Sequence, residues 1–301
     1  MNNEVQVHRR AFLQTSVALV SGVSVVLCRG EDATAQEKKP HQEKPFGDFL
    51  VGAQSYCFRN FDREGALKRI QQLGLQYVEF FPGHCPANST PEQIKAILRM
   101  CQDYGITPIA YGVQHFSKNH SANQRLFEFG AALGIKHFSA DPDPDSFDSL
   151  DKLCEEYKIS IAIHPHGPVG KGLHRWYSAE VILEAVKNHH PLIGTCLDTG
   201  HLIRAAQLGK KLDPAEQIRV MGPRNYGLHL KDHDNQRKTD VIYGKGALDV
   251  VAVIRALKDV KFNDKPHRGY ISIEYEANPD NPVPDMAACI EILKQAIRQV
   301  G

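Results

Sequence analysis

The stretch IGTCLDTGH, residues 193–201, is an apolar run that ends in a carboxylate and, three residues later, an imidazole. Three other runs have the same form: SIAIHPH at 160–166, YGLHLKD at 226–232 and GYISIEYE at 269–276. Each run is short, rich in β-forming residues and closed by ionisable side chains. Such a pattern predicts buried strands whose C-terminal ends carry the chemistry of the protein.

Strand-like runs alternate with amphipathic helical stretches along the chain. The predicted strands cover residues 49–55, 76–81, 107–113, 136–140, 160–165, 193–198, 226–231 and 269–275. The clearest helical stretches cover residues 63–73, 91–104, 146–157, 178–188, 247–258 and 284–299. This order predicts parallel strands joined by helices, and eight such units fit an α/β fold, the (β/α)8 TIM barrel, as a single domain over residues 49–301. The alternative is an open doubly wound sheet, although no G-x-G-x-x-G motif follows a strand as a dinucleotide fold would require.

Composition excludes several classes of protein. The 301 residues include 36 Lys+Arg and 35 Asp+Glu, and 42% of them are hydrophobic, which is typical of a globular protein. A nearly neutral chain lacks the clustered positive charge that nucleic acids bind, so we expect no nucleic-acid partner. After the N-terminal segment, no apolar run reaches the ~20 residues of a membrane span. The seven cysteines include no C-x-x-C motif, which predicts mostly buried thiols.

The N-terminal segment, residues 1–35, resembles a twin-arginine export signal. Residues 8–13, HRRAFL, place paired arginines before a mildly apolar stretch, and residues 33–35, ATA, suit signal cleavage. We expect cleavage after Ala35 and a periplasmic or extracellular protein with no membrane attachment after cleavage. Residues 36–48 are rich in Lys, Glu, Pro and Gln and predict a linker. The alternatives are an unprocessed tail and a less favoured lipid anchor.

Four consecutive strands end in residues of types that bind metal ions, namely His164, Asp198, His229 and Glu274. A parallel barrel places its chemistry at the C-terminal rim of the strands. A charged group there is costly unless it is paired or bound to a metal. Each residue alone has a structural explanation, such as a hydrogen-bonded histidine or a helix-capping aspartate. Together, two imidazoles and two carboxylates predict a site for one divalent metal ion: Mn²⁺, Zn²⁺, Co²⁺ or Fe²⁺.

Further polar and aromatic residues near the strand ends are candidates for contact with a substrate. Glu79 and His84 mark the end of the second predicted strand and are candidates for hydrogen bonds to a substrate. The alternative for Glu79 is a carboxylate exposed to solvent, which we favour less. His166 is either a substrate contact or a loop residue. Trp176 lies in the loop 168–177, and it either closes over a sugar face or anchors the loop by packing.

The motifs over residues 49–299 resemble the xylose isomerase-like TIM-barrel superfamily, in its sugar phosphate isomerase/epimerase family, which is also related to endonuclease IV. The resemblance rests on residues 77–81 (YVEFF), 196–201 (CLDTGH), 229–232 (HLKD) and 269–274 (GYISIE). It implies a divalent metal held by Glu, Asp, His and Glu from the last four strands.

Carried over motif by motif, the resemblance makes Asp198, His229 and Glu274 metal ligands and His201 a substrate contact. The sequence departs from the family at the fifth strand, where His164 stands in the place of the first Glu. In epimerases of the family, the first and last Glu also act as an acid/base pair. Only Glu274 of that pair remains, and Glu276, two residues further on, is a candidate second base.

The expected function is therefore that of a metal-dependent, isomerase- or epimerase-like enzyme. It would act on a sugar or keto-sugar through enediolate chemistry, with Glu274 or Glu276 moving the proton. Lys231 and His201 would contact the substrate and steady oxyanion charge. The alternatives are a 3-keto-sugar lyase or hydratase, which needs one base, and a non-catalytic sugar-binding barrel. The expected partner is a small carbohydrate, and the sequence leaves a homo-oligomer open.

Overall fold

A computed structural model describes residues 44–264 and 268–301 of the chain. The predicted signal peptide, residues 1–35, lies outside the described residues, as does most of the predicted linker. Of that linker, residues 45–48 form a turn just before the first strand. The described chain from Lys44 to Gly301 is one compact unit.

Eight parallel strands form a closed barrel, which confirms the (β/α)8 prediction over the open doubly wound sheet. In chain order the barrel strands are β1 Leu50–Gln54, β2 Tyr77–Phe80, β3 Thr107–Phe116, β4 His137–Pro142, β5 Ser160–Ile163, β6 Ile193–Asp198, β7 Asn225–Leu230 and β10 Tyr270–Ile273. The strand β10 pairs with both β1 and β7 and closes the ring. A small antiparallel hairpin, β8 Asp232–Asp234 and β9 Thr239–Val241, follows β7 and was not predicted.

Helices follow the barrel strands along the described chain. They are α1 Arg63–Gln72, α2 Pro91–Asp103, α3 His120–Leu133, α4 Phe147–Tyr157, α5 Ala179–Val186, α6 Thr199–Arg204, α7 Pro214–Met221, α8 Val250–Asp259 and α9 Val283–Val300. Within residues 44–264 and 268–301, no helix is both long and apolar enough to cross a membrane.

Local sequence signals set several helix starts. Thr90 caps α2 with a capping box, in which its side chain accepts from the Gln93 amide while the Gln93 side chain accepts from the Thr90 amide. Asp249 caps α8 by accepting from the amide of Ala252. Each cap satisfies backbone donors that the first turn of a helix leaves without partners, so each fixes where its helix begins.

The main apolar core lies between the barrel strands and the surrounding helices. On β4, Phe138 contacts Phe127 of α3 and Phe116 of β3, at ring-centroid distances of 5.4 and 5.5 Å. The six cysteines of the described chain are free and buried, as the sequence predicts. Outward-facing strand residues thus form the helix-packed core, which leaves the inward-facing residues free to carry polar groups.

We expect Gly52→Ala to lower the free energy of unfolding by about 3 kcal/mol, because overpacking against backbone cannot relax easily. A Cβ on Gly52 of β1 would lie 2.5 Å from the carbonyl oxygen of Tyr77 on β2. Urea denaturation measures the change. Gly172→Ala is the matched control, since its Cβ would meet no atom within 4 Å. Equal stabilities of the two variants would contradict the close approach of β1 and β2.

Candidate metal and substrate site

The four strand-end residues predicted as metal ligands meet at one point on the barrel rim. His164 directly follows β5, Asp198 ends β6, His229 lies in β7 and Glu274 directly follows β10. One ligand atom from each lies within 4.8 Å of the other three, and all four side chains are buried. The closed barrel brings them together because these strands are neighbours in the ring, in the order β5, β6, β7 and β10.

The distances within this four-residue cluster fit a divalent cation. The Nδ1 atom of His229 lies 3.0 Å from His164 Nε2 and 2.9 Å from Glu274 Oε2. The Oδ2 atom of Asp198 lies 3.4 Å from His164 Nε2 and 3.8 Å from His229 Nδ1. Ligands bonded at about 2.1 Å to one ion lie roughly 3–3.5 Å from each other. The cluster is therefore close to the size that a metal ion requires.

Two oxygen atoms of the cluster have no hydrogen-bond partner within the described chain, although both are buried. They are Asp198 Oδ2 and Glu274 Oε2. The other oxygen of Asp198 accepts from the amide of His201 at 2.7 Å, which fixes the orientation of the carboxylate. The Lys231 ammonium, 3.1 and 3.2 Å from these two oxygens, offsets part of the cost of leaving them without a hydrogen bond. Two nitrogen and two oxygen donors in one buried cluster suit a borderline divalent ion. The residues present thus fit a metal.

Glu79 orients His229 from inside the barrel. His229 donates its Nε2–H to Glu79 Oε2 at 2.9 Å, which leaves Nδ1 facing the cluster. The hydroxyls of Ser139 and Ser272 also donate to Glu79. Burial raises the pKa of Glu79, but the charge and hydrogen bond of His229 and the two hydroxyl bonds outweigh it and hold that pKa at about 2. A carboxylate behind a ligating histidine is a recurrent feature of metal sites.

The structure therefore places Glu79 behind His229 and not among the cavity residues, where the sequence predicts substrate contacts. Its side chain is fully buried and does not line the cavity described below. Val78 and Phe80, its neighbours on β2, point to the opposite face of the strand because side chains alternate. That alternation was visible in the sequence. The partners Ser139 and Ser272 carried no sequence signal, because they come from β4 and β10.

Lys231 is enclosed by carboxylates. Its Nζ lies 2.6 Å from Glu276 Oε1, 3.1 Å from Asp198 Oδ2 and 3.2 Å from Glu274 Oε2. Burial lowers the pKa of Lys231, but the three carboxylates outweigh it and raise that pKa well above its usual value. Lys231 does not line the cavity. In this structure its ammonium therefore balances the charge of the three carboxylates, and its predicted contact with a substrate stays a prediction.

A cavity of about 450 Å³ opens over the cluster. One part of its wall is apolar and aromatic, and the other is polar with two carboxylates, three imidazoles and one guanidinium. Its lining residues are Gln54, Tyr56, Phe81, Pro82, Gly112, Val113, His164, His166, Pro168, His201, Arg204, Glu274 and Glu276. A concave site of this size with few convergent polar groups suits a small molecule.

His166 and His201 both line this cavity, and their contact with a substrate stays a prediction. Their ring centroids lie 4.3 Å apart. The Nδ1 of His201 accepts from the amide of Gly167 at 3.0 Å, so a neutral His201 carries its proton on Nε2. Burial holds the pKa of His166 down at about 3. Both rings are therefore neutral at ordinary pH, since burial also lowers the pKa of His201.

Trp176 and His84 are not among the residues that line the cavity, so the structure does not bring these two predicted substrate contacts to it. Trp176 is buried, donates its Nε1–H to the carbonyl of Pro142 at 3.0 Å and packs on Phe147. It anchors its loop. The Nε2 of His84 lies 2.9 Å from the carbonyl oxygen of Phe61, and its ring packs against Phe81 at 4.6 Å.

The aromatic wall of the cavity is formed instead by Tyr56 and Phe81, which the sequence did not single out. Their rings meet edge to face at 5.4 Å, and Arg59 lies over Tyr56 at 4.7 Å from its centroid. Tyr56 follows β1 and Phe81 follows β2, so both stand at the rim where the other site residues lie. Their position after a strand was the available signal, but nothing in the sequence distinguished them from core aromatics.

Comparison with known proteins agrees with this fold. The model of the xylose isomerase-like TIM-barrel family matches residues 67–296. No curated protein matches the chain in sequence. An uncharacterized protein from Parabacteroides distasonis has 28% identity and a TM-score of 0.63, with 82% of this chain and 99% of that chain covered.

Two further solved structures share the fold at lower identity. A D-tagatose 3-epimerase-like protein has 19% identity, a TM-score of 0.64 and coverage of 84% of this chain and 98% of its own. A D-psicose 3-epimerase has 13% identity, a TM-score of 0.59 and coverage of 83% and 98%. The family match, which spans most of the barrel, confirms the resemblance inferred from the motifs. The chain belongs to the xylose isomerase-like TIM-barrel family.

Proposed function

We propose that this protein is a metal-dependent enzyme that isomerises or epimerises a sugar or keto-sugar by moving a proton next to a carbonyl. The observation that carries the proposal is the four-residue cluster of two imidazoles and two carboxylates at the floor of a cavity on the barrel rim. Sugar 3-epimerases among the neighbours of the same fold support the reaction class.

The metal would be held by His164, Asp198, His229 and Glu274. When bound, a divalent ion supplies Lewis-acid polarisation of substrate oxygens. The donor set suits Mn²⁺, Zn²⁺, Co²⁺ or Fe²⁺. Lys231 contributes a fixed positive charge beside Asp198 and Glu274, so the acids keep their positions when the cavity is filled.

Glu276 is the residue we assign to proton transfer. It lines the cavity but is not part of the four-residue cluster, so its carboxylate stays available to a substrate carbon. Lys231 holds one of its oxygens at 2.6 Å, which orients the carboxylate. A positioned acid/base group of this kind contributes about 10²–10⁴-fold to the rate. Glu274 is the second candidate, since it also faces the cavity.

We assign to His201 the donation of a hydrogen bond to a substrate oxygen. Because its Nδ1 accepts from Gly167, its Nε2–H is the donor that remains. A fixed donor beside developing oxyanion charge stabilises it more than water does. Tyr56 and Phe81 add an aromatic wall on which the apolar face of a sugar ring can pack.

A 3-keto-sugar lyase or hydratase is the second candidate. The observation that favours it is His164, which stands where relatives with two acid/base carboxylates would have a Glu. With Glu274 in the cluster, Glu276 is the one remaining carboxylate among the lining residues. Elimination next to a carbonyl needs one base, whereas two-base epimerisation needs two.

We also propose that the protein is exported. The support is the paired arginines at 9–10, the mildly apolar stretch after them and the small residues ending at Ala35. In the periplasm or outside the cell, a free sugar or oligosaccharide is a more common substrate than a phosphorylated one.

We expect Asp198→Asn to weaken metal binding by more than about 100-fold, because the ligand oxygen is replaced by an amide NH₂ that cannot bind the ion. The Asn oxygen still accepts from the His201 amide, so the fold is kept. Titration calorimetry with Mn²⁺ and metal analysis measure the loss. The control is Asp148→Asn, in a second group of Asp148, Asp151 and His189 on the surface. If only the Asp148→Asn control lost the metal, the surface group and not the four-residue cluster would be the metal site.

We expect Glu79→Gln to lower metal affinity about 10- to 100-fold while the barrel stays folded, because the ligand His229 loses its charged partner. Calorimetry gives the affinity, and thermal unfolding of the metal-free protein gives the stability. Glu155→Gln, at an exposed carboxylate of α4, serves as the control. If Glu79→Gln left the metal affinity unchanged but lowered the thermal stability, Glu79 would stabilise the fold without supporting metal binding.

We expect the wild-type protein to exchange a carbon-bound hydrogen of a keto-sugar for deuterium in D₂O, and Glu276→Gln to slow this exchange about 10²–10⁴-fold with metal content unchanged. Proton NMR over a panel of ketoses and 3-keto-glycosides gives the rates, and dehydrated products would identify the lyase. Tight binding of a sugar without exchange or product, by the metal-loaded wild type, would instead identify a binding barrel.

A further inference from the structure

Arg204 is a cation in the cavity wall that the proposed reaction does not use. It is the last residue of α6, the helix that begins directly after Asp198. Its side chain lines the cavity together with His201 and Pro168. The same short helix therefore places Asp198 at the cluster and Arg204 one turn beyond His201.

The guanidinium of Arg204 has hydrogen-bond donors without acceptors. Its Nε is buried and has no hydrogen-bond partner within residues 44–264 and 268–301. Its Nη1 lies 3.3 Å from His201 Nδ1, which already accepts from the Gly167 amide. By contrast, Arg175 in the neighbouring loop forms ion pairs with Asp141 and Asp143. A buried donor without a partner costs free energy in the unliganded protein. A ligand that accepts a hydrogen bond from Arg204 removes this cost and therefore binds more tightly.

The charge of Arg204 is also unmatched by an acid in the same wall. The lining carboxylates, Glu274 and Glu276, both lie at ion-pair distance from Lys231. None of the ion pairs formed by the described residues includes Arg204. This part of the cavity therefore offers a permanent positive charge to whatever fills it.

We propose that Arg204 recognises a carboxylate on the ligand, so that this cavity accepts sugar acids. The planar fork of a guanidinium matches the two oxygens of a carboxylate, and the pairing is charge-assisted. One guanidinium balances the charge of one carboxylate, whereas a phosphate group carries roughly −1.5 to −2 charges, which a single guanidinium does not balance. The sugar part of this assignment rests on the proposed function, while the acid part rests on Arg204 alone.

The test is titration calorimetry on the protein as purified, with D-glucuronate, D-galacturonate and D-gluconate. Their neutral amides and D-glucose 6-phosphate are the comparison ligands. The variants are Arg204→Gln, which removes the charge, and Arg204→Lys, which keeps the charge but not the fork. Arg237→Gln is the control, because the side chain of Arg237 is 77% exposed.

We expect at least one acid to bind the wild type about 10- to 100-fold more tightly than its amide, which is the range for a hydrogen-bonded charged pair. Arg204→Gln should abolish this preference, Arg204→Lys should reduce it and Arg237→Gln should keep it. Thermal unfolding should be unchanged in all three variants. Equal binding of acids and amides, no binding of any acid, or Arg204-dependent binding of the phosphate alone would overturn the proposal.

The two proposals fail in different measurements. If acids bind through Arg204 but no sugar exchanges hydrogen in D₂O, the enzyme assignment fails and the carboxylate assignment stands. If neutral keto-sugars exchange as fast as acidic ones, and equally fast in Arg204→Gln, the carboxylate assignment fails and the enzyme assignment stands.

Discussion

The hydrogen bond from His229 to Glu79 is the constraint on which the rest of the site depends. In this bond the Nε2–H of His229 points into the barrel and donates to Glu79, so Nδ1 faces the four-residue cluster. Glu79 can stay ionised in a fully buried position only because Ser139, Ser272 and His229 all donate to it. These residues come from β4, β10 and β7, so this one carboxylate ties distant strands of the ring to the geometry of the cluster.

The charged side chains at and around the cavity form two separate groups. On one side, Lys231 lies among Asp198, Glu274 and Glu276, and its ammonium keeps these acids from repelling one another. On the other side, Arg204 stands beside neutral histidines. Three carboxylates against one ammonium leave the first side net negative, as a cation-binding site requires, whereas the Arg204 side suits an anionic group of a ligand.

The histidine at the end of β5 is where this chain differs most from the pattern that its family resemblance implies. His164 keeps a ligand atom at the cluster, 3.4 Å from Asp198 Oδ2, but it brings no negative charge and no carboxylate to move a proton. Under the proposed function, acid/base work then falls on Glu274 and Glu276, which follow β10. In the proposed enzyme, this histidine would keep the metal site while removing one of the two acid/base carboxylates.

The sequence by itself determined the fold class and the residues of the cluster. Strand–helix alternation identifies a parallel barrel, and ionisable residues that close apolar runs identify the rim, because both depend on local pattern. The tertiary structure alone decided which polar residues reach the cavity. Three of the predicted substrate contacts lie at or near strand ends, namely Glu79, Lys231 and His84, and Trp176 lies in the loop between β5 and α5. Their side chains are nevertheless buried against partners distant in the sequence. Tyr56 and Arg204 gave no local signal, and they line the cavity because closure of the barrel brings the ends of β1 and β6 to one rim.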